Sequence, residues 1–308
     1  MWNTRPWLRG LAGLAAVLAA AEIVGASVAL PIESSGQNPI APMVVPFERA
    51  PWPYIVIRVP VAGTDSEALI FDTGTTTTVL VPALAARVGL SAGQATDVES
   101  LNGSQRGLRG EARGIGFDGV PARGPRIAIA TNVARLRGFT RSIAGLYGHN
   151  WLTGTDYRID YDAKQIVMGA PGTLPPSTGG HRTALTWSAG RPAVTVTVRA
   201  HTVEPFSARF VLDSGADHVT LFGHAAERMA LVADRDRTMF IDSGFGTREV
   251  PTAMVNVNVG GRERSAMVEL RRDVKDRDED GLVPTSFFRS VFVSTADSVV
   301  VFDARVTP

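Results

Sequence analysis

The sequence predicts an all-β protein made of two related lobes that share one functional site. Two short motifs indicate this: residues 69–75 read Leu-Ile-Phe-Asp-Thr-Gly-Thr, and residues 211–216 read Val-Leu-Asp-Ser-Gly-Ala. In each motif an apolar, β-prone run leads into an aspartate, and a second apolar run follows within a few residues. Long helical periods are rare, and the 308 residues are enough for two modest domains that each bury a core.

Residues 1–29 have the layout of a signal peptide or an N-terminal anchor. Arg5 and Arg9 precede an apolar run of about eleven residues, and small side chains follow near Ala26 and Ala29. This run is shorter than the roughly 20 residues that span a bilayer, so cleavage near Ala26 or Ala29 is favoured. An uncleaved anchor in the inner membrane is the alternative. We therefore expect a periplasmic or secreted protein.

Two regions without hydrophobic periodicity divide the rest of the chain. Residues 30–50 and 173–181 are rich in proline, glycine and small polar residues, a composition typical of exposed linkers. They delimit a first lobe, residues 51–172, and a second lobe, residues 182–308.

The second lobe repeats the order of the first. The apolar run 192–198 aligns on 53–59, proline on proline, ahead of the strand that carries each aspartate. A short amphipathic segment after each motif predicts a small helix. Segments 144–152 and 280–288 then match near the end of each lobe, except that Pro284 replaces a glycine and removes a backbone donor. We expect the second lobe to differ locally there.

Asp72 and Asp213 are the predicted catalytic residues. A carboxylate placed just after a buried strand must be held by local hydrogen bonds, which the loop hydroxyls could supply. Two such loops that meet at a two-fold axis bring the carboxylates together, and two carboxylates so close share one proton. Either aspartate could then be the base. The supporting loop residues are Thr73, Gly74, Thr75, Ser214, Gly215 and Ala216.

The doubled Asp-Thr/Ser-Gly motif with its apolar flanks resembles the aspartic peptidases, in particular the retropepsin-like and pepsin-like families. The similarity runs from about residue 51 to the C-terminus. The chain resembles a bacterial type that has two retropepsin-like lobes in one chain. It implies the acid-protease fold, in which two β lobes related by a pseudo-two-fold axis hold the active site between them. It also implies an aspartic endopeptidase, whose Asp72/Asp213 dyad activates a water for attack on a peptide bond.

A glycine stands 31 residues beyond each aspartate, Gly103 in the first lobe and Gly244 in the second. Both are candidate hairpin tips, the position of the flap in the family. The same alignment places a third Asp-Ser-Gly, which begins at Asp242, on the second flap and outside the dyad. Asp, Ser and Gly are ordinary turn residues, so this motif is interpreted as a turn.

Composition argues against several other chemistries. The chain has no cysteine, which excludes disulfides, a thiolate nucleophile and cysteine-based metal sites. His218 and His224 are interpreted as surface or capping residues and Asp217 as a turn or capping residue, so we expect no metal and no cofactor. The net charge of +1 provides no basic stripe for nucleic acid.

The expected partner is an extended peptide or protein substrate, bound under the hairpins by strand addition. We expect a monomer, because both half-sites lie in one chain. One alternative is a catalytically inactive or narrowly specialised peptide-binding protein of the same fold. Another is the phosphate-accepting aspartate loop of phosphatases, which the residues around Asp72 resemble, but it would leave the duplicate at Asp213 unexplained.

Overall fold

The structure is a computed structural model that describes residues 41–49, 54–117, 125–132, 142–175, 178–200, 204–234, 237–243, 246–274 and 277–303. Within these residues the chain is almost entirely β, and its two α-helices, α1 (Pro82–Arg87) and α2 (Gly223–Arg228), have six residues each. No helix in this described part is long and apolar enough to cross a membrane. The strands are β1 (Met43–Arg49), β2 (Ile55–Val61), β3 (Thr64–Asp72), β4 (Thr78–Leu80), β5 (Gln94–Ser100), β6 (Gly103–Glu111), β7 (Ile127–Ala130), β8 (Gly145–Gly148), β9 (Asp156–Asp160), β10 (Gln165–Gly169), β11 (His181–Ala184), β12 (Thr186–Ser188), β13 (Arg191–Arg199), β14 (Phe206–Asp213), β15 (Val219–Phe222), β16 (Thr238–Ser243), β17 (Gly246–Val259), β18 (Arg262–Arg271), β19 (Gly281–Pro284), β20 (Ser290–Ser294) and β21 (Val299–Phe302).

Hydrogen bonds join the described strands into two sheets. The larger has thirteen strands in the order β11-β21-β20-β9-β10-β1-β2-β3-β8-β4-β7-β6-β5, and the smaller has eight in the order β12-β13-β14-β19-β15-β18-β17-β16. Buried apolar side chains from both halves of the chain pack into one large core. The all-β class predicted from the sequence is confirmed.

The two halves repeat one arrangement of strands around each aspartate. Strand β3 ends at Asp72 and runs parallel to β8, while β14 ends at Asp213 and runs parallel to β19. The next strand of each half, β4 or β15, lies antiparallel on the other side of β8 or β19. Residues carried by strands are held more precisely than residues carried by loops. Both aspartates therefore leave their sheets at well-defined and equivalent positions.

Pro284 changes this arrangement at one hydrogen bond. Gly148 and Pro284 each pair with the aspartate of their own lobe, so the strand register is the same in both. The amide of Gly148 donates to Oγ1 of Thr78 at 3.0 Å, a bond that proline cannot make. The second lobe has Val219 at the position of Thr78, six residues after its aspartate. The second lobe therefore lacks both the amide donor and the hydroxyl acceptor of this hydrogen bond, so the two differences compensate each other.

The structure differs from the predicted linkers at both places. Residues Met43–Arg49 were expected to belong to a linker, but they form β1, which pairs with β10 and β2. Val45 and Phe47 are buried there, and the proline between them obscured the alternating pattern. At the second linker, the last residue, His181, already begins β11, which pairs with β21. Strand β20 of the second lobe also pairs with β9 of the first, so strands of both lobes join in the larger sheet. The lobe boundaries stay a prediction, and segment 1–29 lies outside the described residues.

Candidate active site

The two predicted catalytic aspartates meet at the ends of β3 and β14. The carboxylate of Asp72 accepts hydrogen bonds from the backbone amides of Gly74 and Thr75, both at 3.0 Å. The carboxylate of Asp213 accepts a hydrogen bond from the amide of Gly215 at 2.7 Å. The turn that follows each strand thus directs its own amides at the aspartate, which is how the chain holds a carboxylate away from water.

Each motif glycine lies against the carboxylate of the other lobe. A β-carbon added to Gly74 would lie 2.1 Å from Cγ of Asp213, and one added to Gly215 would lie 2.7 Å from Cγ of Asp72. Only a residue without a side chain fits in either place. The two carboxyl groups also line the same cleft and interact electrostatically. The structure therefore brings together the two aspartates that the sequence separates by 141 positions.

Thr73 and Ser214 tie the two loops together across the pseudo-two-fold axis. The hydroxyl of Thr73 donates to the carbonyl of Leu212 at 2.7 Å and accepts from the amide of Ser214 at 3.0 Å. The hydroxyl of Ser214 donates to the carbonyl of Phe71 at 2.7 Å and accepts from the amide of Thr73 at 3.0 Å. The sequence suggested that these hydroxyls hold the aspartates. They bond to the backbone of the opposite lobe instead, because loop amides already satisfy the carboxylates.

We expect Thr73→Val to destabilise the fold by about 1–3 kcal/mol for each buried backbone group that it leaves without a partner. Valine has nearly the shape of threonine, but it cannot bond to the carbonyl of Leu212 or the amide of Ser214. The control is Thr73→Ser, which keeps the hydroxyl and should keep most of the stability. Denaturant titration gives the free energy of unfolding of both variants. Equal values for Thr73→Val and wild type would show that these bonds do not stabilise the fold.

Burial and repulsion between the carboxylates give this pair higher pKa values than those of ordinary surface aspartates. Burial and the charge of Asp213 raise the pKa of Asp72 well above its usual range, and its two amide donors offset only part of that. Burial also raises the pKa of Asp213, while the amide of Gly215 and the charge of Arg191 lower it. The pair therefore retains a proton at a pH where isolated carboxyls have lost theirs. Chemically, it offers an acid and a base side by side.

A cleft opens onto the aspartates, and its two walls differ. The first lobe contributes mainly apolar side chains, among them Ile70 and Leu146. Besides Asp213, the second lobe contributes three acids and two arginines, Asp217, Glu269, Glu279, Arg191 and Arg277. Burial, followed by the charge of Asp217, raises the pKa of Glu269 to about 7. An occupant of the cleft therefore meets more charged side chains, of both signs, on the wall of the second lobe than on the wall of the first.

The hairpin β5–β6 reaches across this cleft, and the predicted flap residue Gly103 flanks its tip. The two turn residues are Leu101 and Asn102. The side-chain amide of Asn102 donates to the carbonyl of Ile241 at 3.1 Å, and its Oδ1 accepts from Arg271 at 3.0 Å. Arg271 is fully buried and also donates to the carbonyl of Leu101. The contact between Arg271 and Asn102 was not predicted, because residues 169 positions apart leave no local pattern in the sequence.

The second hairpin consists of β16 and β17. Gly244, the other predicted flap residue, lies outside the described residues. The backbone of Asp242 pairs with Thr247 in this hairpin. Asp242 and Ser243 are thus the last residues of β16, and the interpretation of the third Asp-Ser-Gly as a turn motif stays a prediction.

Asp217, His218 and Glu269 form a cluster beside the Asp213 loop. Nδ1 of His218 lies 3.0 Å from Oδ1 of Asp217 and 3.9 Å from Oε1 of Glu269. These side chains could hold a metal ion, since their ligand atoms lie within 4.8 Å of one another. An ion pair accounts for the same geometry, because the close contact with the Asp217 carboxylate raises the pKa of His218. Asp217 is thus a partner of His218 and not a helix cap, since α2 begins only at Gly223.

Comparisons with known proteins bear on the fold. No family model matches the chain, and no curated protein matches its sequence. Among solved structures, the crystal structure of an aspartic proteinase from Irpex lacteus matches with a TM-score of 0.52, over 84% of this chain and 96% of that one. The sequences are 13% identical, so the likeness shows the fold alone, and the retropepsin-like bacterial subtype stays a prediction. The chain has the all-β, two-lobed fold of that aspartic proteinase, as the sequence predicted.

Proposed function

We propose that this protein is an aspartic endopeptidase, which hydrolyses peptide bonds with a water activated by Asp72 and Asp213. The observation that carries the proposal is the carboxyl pair itself, two aspartates that line one cleft and each pack against the motif glycine of the other lobe. An aspartate that merely ends a strand needs neither a second carboxyl nor a cleft. Burying two carboxyls together is unfavourable, and perturbed groups of this kind cluster at functional sites.

A peptide carbonyl in the cleft would meet both members of the pair. The ionised carboxylate takes a proton from water as the water oxygen attacks the carbonyl carbon, and the protonated carboxyl donates its proton to the carbonyl oxygen. In the second step, the C–N bond of the resulting diol breaks. The newly protonated carboxyl donates to the leaving nitrogen, and the other takes a proton from a diol hydroxyl. The pair returns to its starting state, and no bond forms between protein and substrate.

The proposed substrate is an extended segment of a peptide or an unfolded protein, bound beneath the β5–β6 hairpin. In an extended chain, successive side chains point to opposite sides, so they would alternately contact the wall of the first lobe and the more highly charged wall of the second lobe. We propose that one chain suffices, since each lobe supplies one aspartate. The proposed location is the periplasm or the outside of the cell, because of the signal or anchor layout of residues 1–29.

The β5–β6 hairpin favours a second candidate, a narrowly specialised or inactive peptide-binding protein. Arg271 bonds to the tip of the hairpin, and Leu101 packs against a buried apolar cluster of the second lobe. That cluster consists of Ala193, Val211, Phe222 and Leu282. A substrate has to displace these contacts before it reaches the aspartates, so only chains that bind well would enter.

Cleavage of an unfolded protein from about pH 3 to about pH 7, with and without pepstatin, tests the proposal. We expect new peptide termini by mass spectrometry and their loss when pepstatin is added. An unfolded substrate is used because it has no tertiary structure to limit access. If the substrate binds but stays intact at every pH, the endopeptidase is excluded and the peptide-binding protein is favoured.

A further inference from the structure

A buried ion pair lies beside the aspartates and has no part in the mechanism above. The side chains of Arg191 and Glu279 are 5% and 2% exposed, and Nη2 of Arg191 lies 2.7 Å from Oε1 of Glu279. Ser188 bonds to both partners: its hydroxyl donates to Glu279 at 2.7 Å, and its carbonyl accepts from Nε of Arg191 at 3.3 Å. Desolvation offsets much of the attraction in a buried ion pair, so stability alone is a weak reason for it.

Arg191 reaches the loop of the other lobe. Its Nη1 donates to the carbonyl of Gly74 at 3.1 Å. Gly74 is also the residue whose β-carbon would lie 2.1 Å from Cγ of Asp213. One glycine therefore separates the guanidinium from the carboxyl of Asp213. The other guanidinium nitrogen faces Glu279, so the positive end of the ion pair is directed at the aspartates.

The residues of the first lobe that align with this ion pair are uncharged. In the internal repeat Arg191 aligns with Trp52 and Glu279 aligns with Ile143, and neither of these is charged. Burial raises the pKa of Asp213, and the charge of Arg191 opposes that rise. The pKa of Asp72 is set by burial, by its carboxyl neighbour and by two backbone amides. Two aspartates in similar loops thus lie in different electric fields.

We propose that Arg191 decides the roles of the two aspartates: it keeps Asp213 ionised as the base and leaves the shared proton on Asp72 as the acid. The roles of acid and base rest on the proposed endopeptidase function, whereas the asymmetry rests on the geometry alone. Glu279 and Ser188 hold the guanidinium in place. Arg191 acts through Asp213, so it is a positioning residue and not a catalytic one.

Other charged groups near Asp213 are already paired or close to neutral in acid. Asp217 and His218 pair with each other in the same loop. Glu269 on β18 has a pKa of about 7, so it is mostly protonated at acidic pH. Arg277 lies 4.0 Å from the same carboxylate that binds Arg191. Among the described residues, the titratable groups that line the cleft with Asp213 or interact with it electrostatically are Tyr54, Asp72, Glu99, Tyr161, Arg191, Asp217, Glu269, Arg277 and Glu279.

The test lets each aspartate titrate alone. In Asp72→Asn the remaining carboxyl of the pair is Asp213, and in Asp213→Asn it is Asp72. Carbon-13 NMR of labelled aspartate carboxyls follows each titration without any substrate. Into both backgrounds we introduce the neutral pair Arg191→Gln with Glu279→Gln, which leaves no buried charge unpaired. We expect the pKa of Asp213 to rise by about one unit, a tenfold change, and that of Asp72 to move less than half as far.

Two single substitutions give independent checks in the Asp72→Asn background. Arg191→Lys keeps the positive charge and should keep the pKa of Asp213 close to its starting value. Glu279→Gln leaves the guanidinium unopposed, so it should shift the pKa of Asp213 in the opposite direction, downwards. An unchanged pKa of Asp213 in Glu279→Gln would overturn the inference even if the neutral pair fails to fold.

Equal shifts of both aspartates, or an unchanged Asp213, would overturn the inference. Because the titrations need no cleavage, the expected shifts in a protein that cleaves nothing would contradict only the endopeptidase proposal. In an active protein, the neutral pair should also move the acidic limb of kcat/KM upwards by about one pH unit. A purely structural role of Arg191 would lower stability but leave that limb in place.

Discussion

Asp72→Asn and Asp213→Asn should each slow peptide cleavage by roughly 10³-fold or more, because asparagine cannot take up or release the proton that the reaction moves. Asparagine is nearly the size of aspartate, so the interlobe bonds of Thr73 and Ser214 stay in place. Each substitution also relieves the repulsion between two buried carboxylates, so the free energy of unfolding should not fall. Initial cleavage rates of an unfolded protein, together with thermal unfolding of each variant, measure both expectations.

Asp242→Asn is the matched control for these variants. It makes the same substitution in the third Asp-Ser-Gly motif, which belongs to the β16–β17 hairpin. We expect cleavage at the wild-type rate. If Asp242→Asn alone stopped cleavage, the pairing of Asp72 with Asp213 as the dyad would be wrong. If Asp72→Asn and Asp213→Asn cleaved normally, the activity would reside elsewhere in the chain or in a contaminant.

Gly74→Ala should lower kcat/KM by about 100-fold or more. The added methyl group would lie 2.1 Å from Cγ of Asp213, so the carboxyl has to move by more than 1 Å to reach an ordinary contact distance. A displacement of this size at a reacting group is worth about 100-fold in rate. Gly215→Ala should displace the carboxyl of Asp72 and also lower kcat/KM. The factor should be smaller, because this methyl group would lie 2.7 Å from Cγ of Asp72. Steady-state kinetics and unfolding of both variants measure the effect.

Gly110→Ala is the control for the glycine variants. It lies on β6, and the nearest atom to its added β-carbon would be 3.4 Å away, at the limit of ordinary contact. We therefore expect little change in cleavage or stability. Equal losses in Gly74→Ala and Gly110→Ala would point to a general effect of alanine. Full activity in Gly74→Ala would contradict the close packing of this loop against Asp213.

The parts of the site that the sequence predicted are those with a local pattern. An apolar run that ends in Asp-Thr/Ser-Gly can be recognised from a few adjacent residues, and its repetition relates Asp72 to Asp213. The difference between Gly148 in the first lobe and Pro284 at the equivalent position of the second was visible for the same reason. Strand β1 was missed because its short alternation is interrupted by a proline, and only its pairing with β10 and β2 makes it a strand.

Contacts between the halves of the chain could not be predicted in this way. The hydroxyls of Thr73 and Ser214 were linked to the wrong partners, since the carbonyls that accept from them belong to the other lobe. No local sequence pattern predicted the buried positions of Arg271 and Arg191. A buried arginine is identified by what surrounds it in space, and each of these two donates to a residue of the other lobe, Asn102 or Gly74, that is distant in sequence.

The sequence by itself determined the all-β class, the duplication and the two aspartates, because strand patterns and turn residues are read over a few positions. The tertiary structure decided how the two lobes are tied together, which hairpin covers the cleft and which aspartate faces a cation. Those features depend on distances between residues that are far apart in the chain. Burial and electrostatic interactions depend on such distances, so the electrostatic difference between Asp72 and Asp213 exists only in the folded protein.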